Sequence, residues 1–194
     1  MSDTDEAFTG WLNQFGIIDE NYYLVVGRLV PENNYDIIIR EFMNHHSLTQ
    51  LVFVTNNDDA MMEKLKEKVD FSKDERIIFT GPVYDSVLLK KIRERCFAYI
   101  HGHEVGGTNP SLLESLASTD LNLLYDVSFN IEVALDSAFY WSKSENSLKD
   151  MFVRVESLTK AEKEMFGQKA KARIEEMFNW DKIVEQYNSL FANG

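Results

Sequence analysis

The chain has 194 residues, of which 44% are hydrophobic and 12% aromatic. This is enough for one well-buried core and too little for two full-sized domains. The net charge of -12, from 32 acidic and 20 basic residues, argues against a nucleic-acid partner, because the chain has no block of Lys or Arg to contact a phosphate backbone.

Cysteine content and hydropathy indicate the cellular compartment. The single cysteine, Cys96, excludes an internal disulfide framework. The first ten residues have neither the basic start nor the apolar core of a signal peptide. No apolar run approaches the roughly 18 residues needed to span a bilayer. We therefore expect a cytoplasmic location, with attachment to the inner face of the membrane through other segments left open.

Short apolar runs alternate with helical patterns along most of the chain, which is typical of βαβ units and a parallel sheet. The predicted strands are 22–27, 50–55, 76–81, 97–102, 121–127 and 138–141. The predicted helices are 31–45, 58–69, 85–96, 109–118 and 130–135, and then 147–158, 160–178 and 180–191. The sequence therefore predicts an α/β fold, a Rossmann-like parallel sheet with flanking helices and a helical C-terminal tail. We assign residues 1–21 to a linker or N-terminal extension and residues 22–194 to the domain.

The loop after the first predicted strand is one candidate site, because ligands of open parallel sheets bind beyond the carboxyl ends of the strands. Gly27 ends this strand and Arg28 follows it. A guanidinium there would suit phosphate oxygens, since its planar donors match their geometry. The alternative is that Arg28 is only a surface cation, and this loop alone does not decide between the two.

The loop after the fourth predicted strand is the second candidate site. Asn109 is a favoured N-cap residue and Pro110 suits the first helical position, so a helix should begin there. Gly106 and Gly107 lie just upstream, where the lack of Cβ lets backbone approach a ligand closely. Free N–H groups and the positive end of the helix dipole predict an anion site, most naturally for a diphosphate. The alternative is a glycine-rich turn that only reverses the chain.

Glu114, one turn into this helix, favours the ligand hypothesis. Its carboxylate only accepts hydrogen bonds, so it suits the vicinal hydroxyls of a ribose or another sugar. An anion site followed by a hydroxyl-binding carboxylate is what a sugar nucleotide would require. The sequence therefore predicts a site for a nucleoside-diphosphate sugar.

Other polar residues near these strand ends have two interpretations each. His101 and His103 occupy alternate positions and are a conceivable metal pair, but no third ligand has a convincing spacing. We expect one histidine to line the sugar pocket, the other to be structural, and no metal to be held. Glu104 is either an active-site carboxylate or a solvated charge. Asn130 and Glu132 either reach the cleft or cap and solvate a short helix.

The chain resembles the C-terminal, donor-binding domain of GT-B-fold retaining glycosyltransferases, from about Tyr22 onward. The resemblance rests on "VVGRLVPENN", "RIIFTGPV", "GGTNPSLLESLAS" and "FNWDKIVEQYNSLF" in this order. The stretch "GHEVGGTNPSLLESLAS" is most similar to bacterial rhamnosyltransferases that build capsular or cell-wall polysaccharide. The resemblance implies a hexosyltransferase, a dTDP-rhamnose donor as substrate, and no cofactor.

The resemblance also implies roles for individual residues. Arg28 would bind the donor diphosphate, Glu114 the nucleotide ribose, and backbone amides near Thr108 and Asn109 a phosphate. The candidate catalytic residues are Arg28 and Glu104. The candidate donor-binding residues are Gly27, Arg28, Asn33, His103, Gly106, Gly107, Thr108, Asn109 and Glu114.

Two of these positions depart from the pattern of the family. Asn33 stands where the family usually has a lysine partner for the arginine, so one phosphate charge must be met otherwise. Gly106 stands where the family has its first glutamate, and the nearest candidate for that role is Glu104.

The family also implies partners that this chain lacks. A GT-B enzyme has two Rossmann-like domains, so an N-terminal acceptor-binding domain would be missing and the chain alone would be inactive. The acceptor would be a glycan or a lipid-linked glycan. We expect the apolar face of the closing helix, 180–191, to be exposed or buried in a homodimer.

Two other function classes fit the sequence less well. A non-catalytic nucleotide or nucleotide-sugar binding module that regulates a partner is the alternative. A flavodoxin-like or receiver-like signalling domain is disfavoured, because no acidic cluster follows the first strand and the helical tail is long.

Overall fold

The computed structural model describes residues 2–177, and we number its elements in chain order. The strands are β1 (Tyr22–Val26), β2 (Gln50–Val54), β3 (Ile77–Phe79), β4 (Ala98–His101), β5 (Asn122–Tyr125) and β6 (Phe139–Trp141). The helices are α1 (Asp3–Phe15), α2 (Tyr35–Met43), α3 (Asp59–Lys68), α4 (Ser86–Glu94), α5 (Pro110–Ser118), α6 (Ser128–Ala134), α7 (Ser147–Glu156) and α8 (Lys160–Met177). Two 3-10 turns span Pro31–Asn33 and Leu135–Ser137.

The six strands form one sheet in the order β3-β2-β1-β4-β5-β6, and every neighbouring pair is parallel. In this order the chain runs outward from β1 to β3 and then returns to place β4 on the other side of β1. The connections therefore diverge between β1 and β4, which opens a crevice at their carboxyl ends. The predicted α/β fold with a Rossmann-like parallel sheet and a helical C-terminal tail is confirmed.

Helices cover both faces of the sheet, and β1 shows why its sequence is almost entirely apolar. Tyr23 and Val25 pack into one core with residues of α2 and α7. Tyr22 and Leu24 pack into a second core with residues of α1 and α4. Because alternate side chains of a strand point to opposite faces, a central parallel strand must be apolar at consecutive positions.

The N-terminal segment contains a helix that the sequence analysis did not predict. Within residues 1–21, assigned there to a linker or extension, α1 spans Asp3–Phe15. Ser2 and Asp5 form a reciprocal capping box at its start, which satisfies backbone N–H groups that the helix leaves free. Phe8 and Trp11 are buried in the same core as β1 and α4. This segment thus contributes to the packing of the domain.

The predicted helix over 31–45 begins later than expected, at Tyr35. Pro31–Asn33 form a 3-10 turn, and Asn34 adopts a left-handed conformation with φ of 54°. The Asn34 side chain donates a buried hydrogen bond of 2.8 Å to the Gly102 carbonyl, which fixes this break in the helix. The other described elements fall within one to three residues of their predicted bounds.

No helix within residues 2–177 is both long enough and apolar enough to cross a bilayer. The predicted closing helix, 180–191, lies outside the described residues.

Candidate functional site

A cleft lies at the carboxyl ends of β1 and β4, where the topology places a ligand site. Its cavity volume is about 220 Å³, below the range of about 300–1,000 Å³ typical of small-molecule sites. Its walls come from the end of β1 and the loop after it, the end of β4, and the start of α5. The lining residues are Val25, Val26, Gly27, Arg28, Val30, Asn33, Tyr35, Ile100, His101, Gly102, His103, Asn109 and Ser111.

The first wall is the β1 loop, residues 27–34, and its polar groups are largely satisfied within the protein. The Gly27 carbonyl accepts a hydrogen bond of 2.9 Å from the Tyr35 hydroxyl. The Arg28 carbonyl accepts one of 2.7 Å from the Asn33 side chain, and the Leu29 N–H donates to Asn56 Oδ1 at 2.8 Å. The Arg28 side chain is exposed at the mouth of the cleft. This wall therefore presents a cation on a fixed backbone.

Gly102 joins the β1 loop to the end of β4, and no larger residue fits there. A Cβ at this position would lie 2.2 Å from the Asn33 carbonyl oxygen and 3.0 Å from Ile38 Cδ1. The Gly102 carbonyl in turn accepts the hydrogen bond from Asn34 described above. The two walls of the cleft are thus held in backbone contact.

His103 is oriented by Asn33 from across the cleft. Its Nδ1 lies 2.9 Å from Asn33 Oδ1. Because Asn33 Nδ2 donates to the Arg28 carbonyl, Oδ1 is an acceptor and His103 Nδ1 is the donor of this contact. In the neutral tautomer that has this donor, Nε2 is the acceptor. The structure brings together His103, Asn33, Arg28 and Gly27 of the predicted donor-binding set.

His101 lies deeper in the cleft and lacks a hydrogen-bond partner on one nitrogen. Its Nε2 is buried and unpaired within residues 2–177. Burial, and secondarily the neighbouring His103, lower the pKa of His101 from 6.5 to about 3, so the ring is neutral near pH 7. In the described part of the chain, no group of three or more His, Cys, Asp or Glu side chains has the arrangement of a metal site.

The second wall belongs to the β4 loop, residues 102–109, most of whose backbone N–H groups are free. Gly102, His103 and Asn109 line the cleft, whereas the predicted donor-binding residues Gly106, Gly107 and Thr108 do not. The Glu104 N–H donates to the Glu32 carbonyl at 3.1 Å. No hydrogen bond within residues 2–177 uses the N–H groups of residues 105–109. Gly106 adopts φ of +94°, which only glycine adopts readily, whereas a Cβ on Gly107 would meet no atom within 4 Å. Thr108 is exposed in the same loop.

The first turn of α5 is less available to a ligand than the sequence analysis expected. The Asn109 side chain accepts from the Ser111 N–H at 2.9 Å, so Asn109 is the N-cap as predicted. The Leu112 and Leu113 N–H groups both donate to the Asn109 carbonyl, and Pro110 has no N–H. The free donors lie in the β4 loop instead, close to the positive end of the helix dipole.

Glu114 does not line the cleft. Its side chain is 57% exposed and forms an ion pair of 2.7 Å with Arg93, whose side chain is only 4% exposed. It lines a second cavity between α4 and α5, together with Ser86, Val87, Leu89, Lys90, Arg93, Ala117 and Ser118. The structure therefore places the predicted ribose-binding carboxylate in a cavity separate from Arg28.

Glu104 also lies outside the lining of the cleft and is paired with Lys143. Burial alone would raise the pKa of the Glu104 carboxyl, but hydrogen bonds from Lys143 and Asn34 outweigh it and hold the pKa below its usual value. This carboxylate is thus committed to ion pairing, which suits a structural role better than proton transfer.

Of the two residues predicted beside the short helix α6, one supports the cleft. The buried Asn130 side chain donates to the carbonyls of His103 and Tyr125, at 3.2 and 2.9 Å. It therefore holds the start of the β4 loop against the end of β5. The Glu132 side chain is exposed, and the carbonyl of this residue accepts a hydrogen bond from Arg173.

Sequence reasoning missed a hydrogen-bonded group at the floor of the cleft. The Tyr99 hydroxyl lies 2.9 Å from Ser111 Oγ, and both hydroxyls lie within hydrogen-bond distance of the Val26 carbonyl, at 3.2 and 3.3 Å. Ser111 also receives a hydrogen bond of 3.3 Å from the Arg93 guanidinium. Tyr99 lies mid-strand and Ser111 early in a helix, so the sequence carried only a weak signal for this group.

Comparisons with known proteins identify the fold. No protein-family model and no curated protein matches the chain. Among solved structures it is similar to Anabaena HepE in complex with UDP, at 14% identity and a TM-score of 0.81, over 100% of this chain and 54% of that one. It is similar to the UDP-forming α,α-trehalose-phosphate synthase of Burkholderia vietnamiensis, at 14% identity and 0.76, over 97% and 48%.

The α,α-trehalose 6-phosphate synthase of Burkholderia multivorans gives a comparable match, at 16% identity and a TM-score of 0.73, over 98% of this chain and 46% of that one. The chain thus spans about half the length of the structures that it matches. At such low identity the likeness concerns the fold alone. The chain has the fold of one Rossmann-like half of a GT-B structure.

Proposed function

We propose that the chain is the nucleotide-sugar donor-binding half of a glycosyltransferase. In the finer form of this proposal, the complete enzyme transfers a hexosyl group, rhamnose from dTDP-rhamnose, onto a growing polysaccharide. The observation that carries the proposal is the cleft between β1 and β4, which is lined by an exposed arginine and by Asn109, the last residue of a loop whose backbone N–H groups are free.

The cleft has donors suited to a diphosphate. Arg28 supplies a guanidinium at one wall, and the other wall leads through His103 and Asn109 to residues 105–108, whose N–H groups are unpaired within residues 2–177. Together they would bind the four non-bridging oxygens of a diphosphate, whose negative charge also favours the nearby helix start. The same groups would stabilise the charge that develops on the diphosphate as it leaves the sugar.

The cleft also has acceptors suited to a sugar. His103 Nε2 is an acceptor in the tautomer that Asn33 imposes, and the deeper His101 is neutral. Neutral imidazole nitrogens accept hydrogen bonds from hydroxyl groups without adding a charge to the site. We infer that His103 contacts a hydroxyl of the donor sugar, and that His101 contributes beneath it.

The similar structures support a sugar-nucleotide ligand. Anabaena HepE has been solved with UDP, with UDP and glucose, and with UDP-glucose. The choice of dTDP-rhamnose rests on the resemblance of residues 102–118 to bacterial rhamnosyltransferases. A second domain would bind the glycan or lipid-linked glycan acceptor, because the described residues form only one Rossmann-like half.

A specific observation favours one alternative, a non-catalytic nucleotide-sugar binding module. No carboxylate lines the cleft within the described residues, since Glu104 pairs with Lys143 and Glu114 with Arg93. Binding without transfer would need no such group. The two functions differ in whether addition of the second domain restores sugar transfer.

Calorimetric titration of the purified chain tests the proposal. The ligands are pyrophosphate, UDP, dTDP, GDP, ADP, dTDP-rhamnose and UDP-glucose. We expect saturable 1:1 binding of at least one nucleoside diphosphate, with dTDP-rhamnose preferred to UDP-glucose. Failure of every nucleotide to bind at millimolar concentration would contradict the proposal, and a preference for UDP-glucose would contradict its finer form.

A pair of arginine variants identifies the cleft as the binding site. Arg28→Ala should weaken every diphosphate, pyrophosphate included, by about tenfold, because a charge-assisted contact is lost. Arg40→Ala removes the same charge from an exposed position on α2, outside the cleft, and should have little effect. Equal effects of the two variants would show that net charge, and not the cleft, governs binding.

A further inference from the structure

Arg93, on α4, is a buried cation at the boundary between the cleft and the second cavity. Its Nη2 lies 2.7 Å from Glu114 Oε2 and 3.3 Å from Ser111 Oγ. Ser111 lines the cleft, whereas Arg93 and Glu114 line the second cavity. The guanidinium therefore links one residue of each cavity, and the two cavities are neighbours.

The partners of Arg93 show that its site is not a simple surface ion pair. Glu114 is its single carboxylate partner within residues 2–177, and its Nε is buried without a hydrogen bond there. A buried guanidinium is costly unless its charge is compensated. The fold therefore retains a buried cation with an unpaired donor at this point, where an apolar residue on α4 would pack at a lower cost.

We propose that Arg93 is a positioning residue, which orients the Glu114 carboxylate to accept hydroxyl groups from the sugar of the bound nucleotide. This inference rests on the proposed function. Glu114 is mostly exposed, and a free glutamate would populate several rotamers. A guanidinium that is fixed by burial holds Oε2 and leaves Oε1 available for a ligand. A ligand with its diphosphate in the cleft would then extend past Ser111 toward Glu114.

The competing explanation reverses the roles, so that Glu114 is present only to neutralise Arg93. The two explanations differ in what a substitution does to different ligands. A purely structural pair would weaken all ligands by the same factor, because it would lower the folded fraction or distort the whole cleft. A positioning role would weaken only ligands with a hydroxyl for Glu114 to bind.

The experiment compares three ligands by calorimetry: dTDP, its analogue without the 3′-hydroxyl, and pyrophosphate. If UDP binds the wild-type chain more tightly, UDP and its 2′,3′-dideoxy analogue replace the first two. The variants are Arg93→Lys, which keeps the charge but not the planar pair of donors, and Arg93→Met. Arg95→Met is the control, since it removes an arginine paired with Asp19, beyond the end of the same helix and outside both cavities.

We expect both Arg93 variants to bind the hydroxylated nucleotide about tenfold more weakly, with less than about twofold change for the deoxy analogue and pyrophosphate. The preference of the wild-type chain for the hydroxylated nucleotide should disappear. Arg95→Met should keep that preference. If Arg93→Met does not fold, the double variant Arg93→Met with Glu114→Gln removes both charges, and should fold, bind pyrophosphate normally and lack the preference.

The possible failures are distinguishable. If the wild-type chain binds no nucleoside diphosphate, the proposed function fails and this inference falls with it. If the wild-type chain binds but the Arg93 variants weaken all three ligands equally, or none of them, only the positioning role of Arg93 is overturned.

Discussion

The two loops that form the walls of the cleft differ in how their polar groups are satisfied. In the β1 loop most polar groups are satisfied by the protein: the Asn33 and Tyr35 side chains donate to the carbonyls of Arg28 and Gly27, and Asn34 donates to the Gly102 carbonyl. In the β4 loop, the N–H groups of residues 105–109 have no partner within the described chain, and the preceding strand ends at His101 with an unpaired Nε2.

This difference indicates that the two loops have different functions. A loop that satisfies its own hydrogen bonds holds its shape without a ligand, so the β1 loop is preorganised. A loop with free donors gains most when an anion arrives, because a ligand then replaces the water that those donors otherwise bind. The β1 loop should therefore determine stability, and the β4 loop should determine affinity.

The largest expected effect is at the junction between the two loops. Gly102→Ala places a Cβ 2.2 Å from the Asn33 carbonyl oxygen, so backbone must move. We expect a loss of about 3 kcal/mol in the free energy of unfolding, measured by urea denaturation. Gly107→Ala is the control, because its Cβ meets no atom within 4 Å. Similar stability of the two variants would contradict the backbone contact.

The second effect is the pH dependence of stability that we expect from His101, the last residue of β4. The pKa of His101 falls from 6.5 to about 3 in the folded chain, chiefly through burial. Between these values the unfolded chain binds the extra proton, so stability is complete above about pH 6.5 and declines as the pH drops. The free energy of unfolding of the His101→Gln variant should decline less steeply as the pH falls, by up to about 1.4 kcal/mol per pH unit. Parallel stability curves would show that His101 is not buried as described.

The third effect concerns Asn33, whose side chain contacts both loops. Asn33→Ala removes the hydrogen bond to the Arg28 carbonyl and the contact with His103 Nδ1. We expect a loss of about 1–2 kcal/mol in stability and weaker binding of sugar nucleotides. Asn57→Ala, at an exposed position in the loop after β2, should change neither. A loss of stability without a loss of affinity would show that Asn33 stabilises the β1 loop but that its contact with His103 does not contribute to binding.

The smallest effect on stability is expected within the β4 loop itself. Gly106→Ala forces alanine to adopt φ of +94°, at a cost of about 1 kcal/mol, whereas Gly107→Ala should be nearly neutral. Both variants should bind a diphosphate more weakly than their small loss of stability implies, because each added methyl group would occupy space through which an anion reaches the free N–H groups. Unchanged affinity in both variants would mean that this loop is only a turn.

The sequence allowed the sheet and most helices to be predicted because buried parallel strands are continuous apolar runs. The Asn109-Pro110 pair correctly located the start of α5. The helix α1 was missed, although Ser2, Asp5, Phe8 and Trp11 carried a capping signal and apolar residues at helical spacing. The assignment of residues 1–21 to a linker did not take these local signals into account.

The candidate site was harder to predict, because its contacts join residues far apart in the chain. The hydrogen bond between Asn33 and His103 spans 70 positions. The pairing of Glu114 with Arg93 depends on how α4 packs against α5, which no local pattern encodes. Gly27, Arg28 and His103, predicted from strand ends, line the cleft, whereas Glu104 and Glu114 do not.

The most direct test of the account is an NMR titration of the isotopically labelled chain with dTDP and UDP. We expect the backbone amide signals of residues 105–109 to shift most, together with those of the Arg28 side chain, and the shifts to saturate at one nucleotide per chain. The β1 loop backbone should change little. Saturable shifts confined to another surface, or no shift at millimolar nucleotide, would contradict the claim that this cleft binds a nucleoside diphosphate.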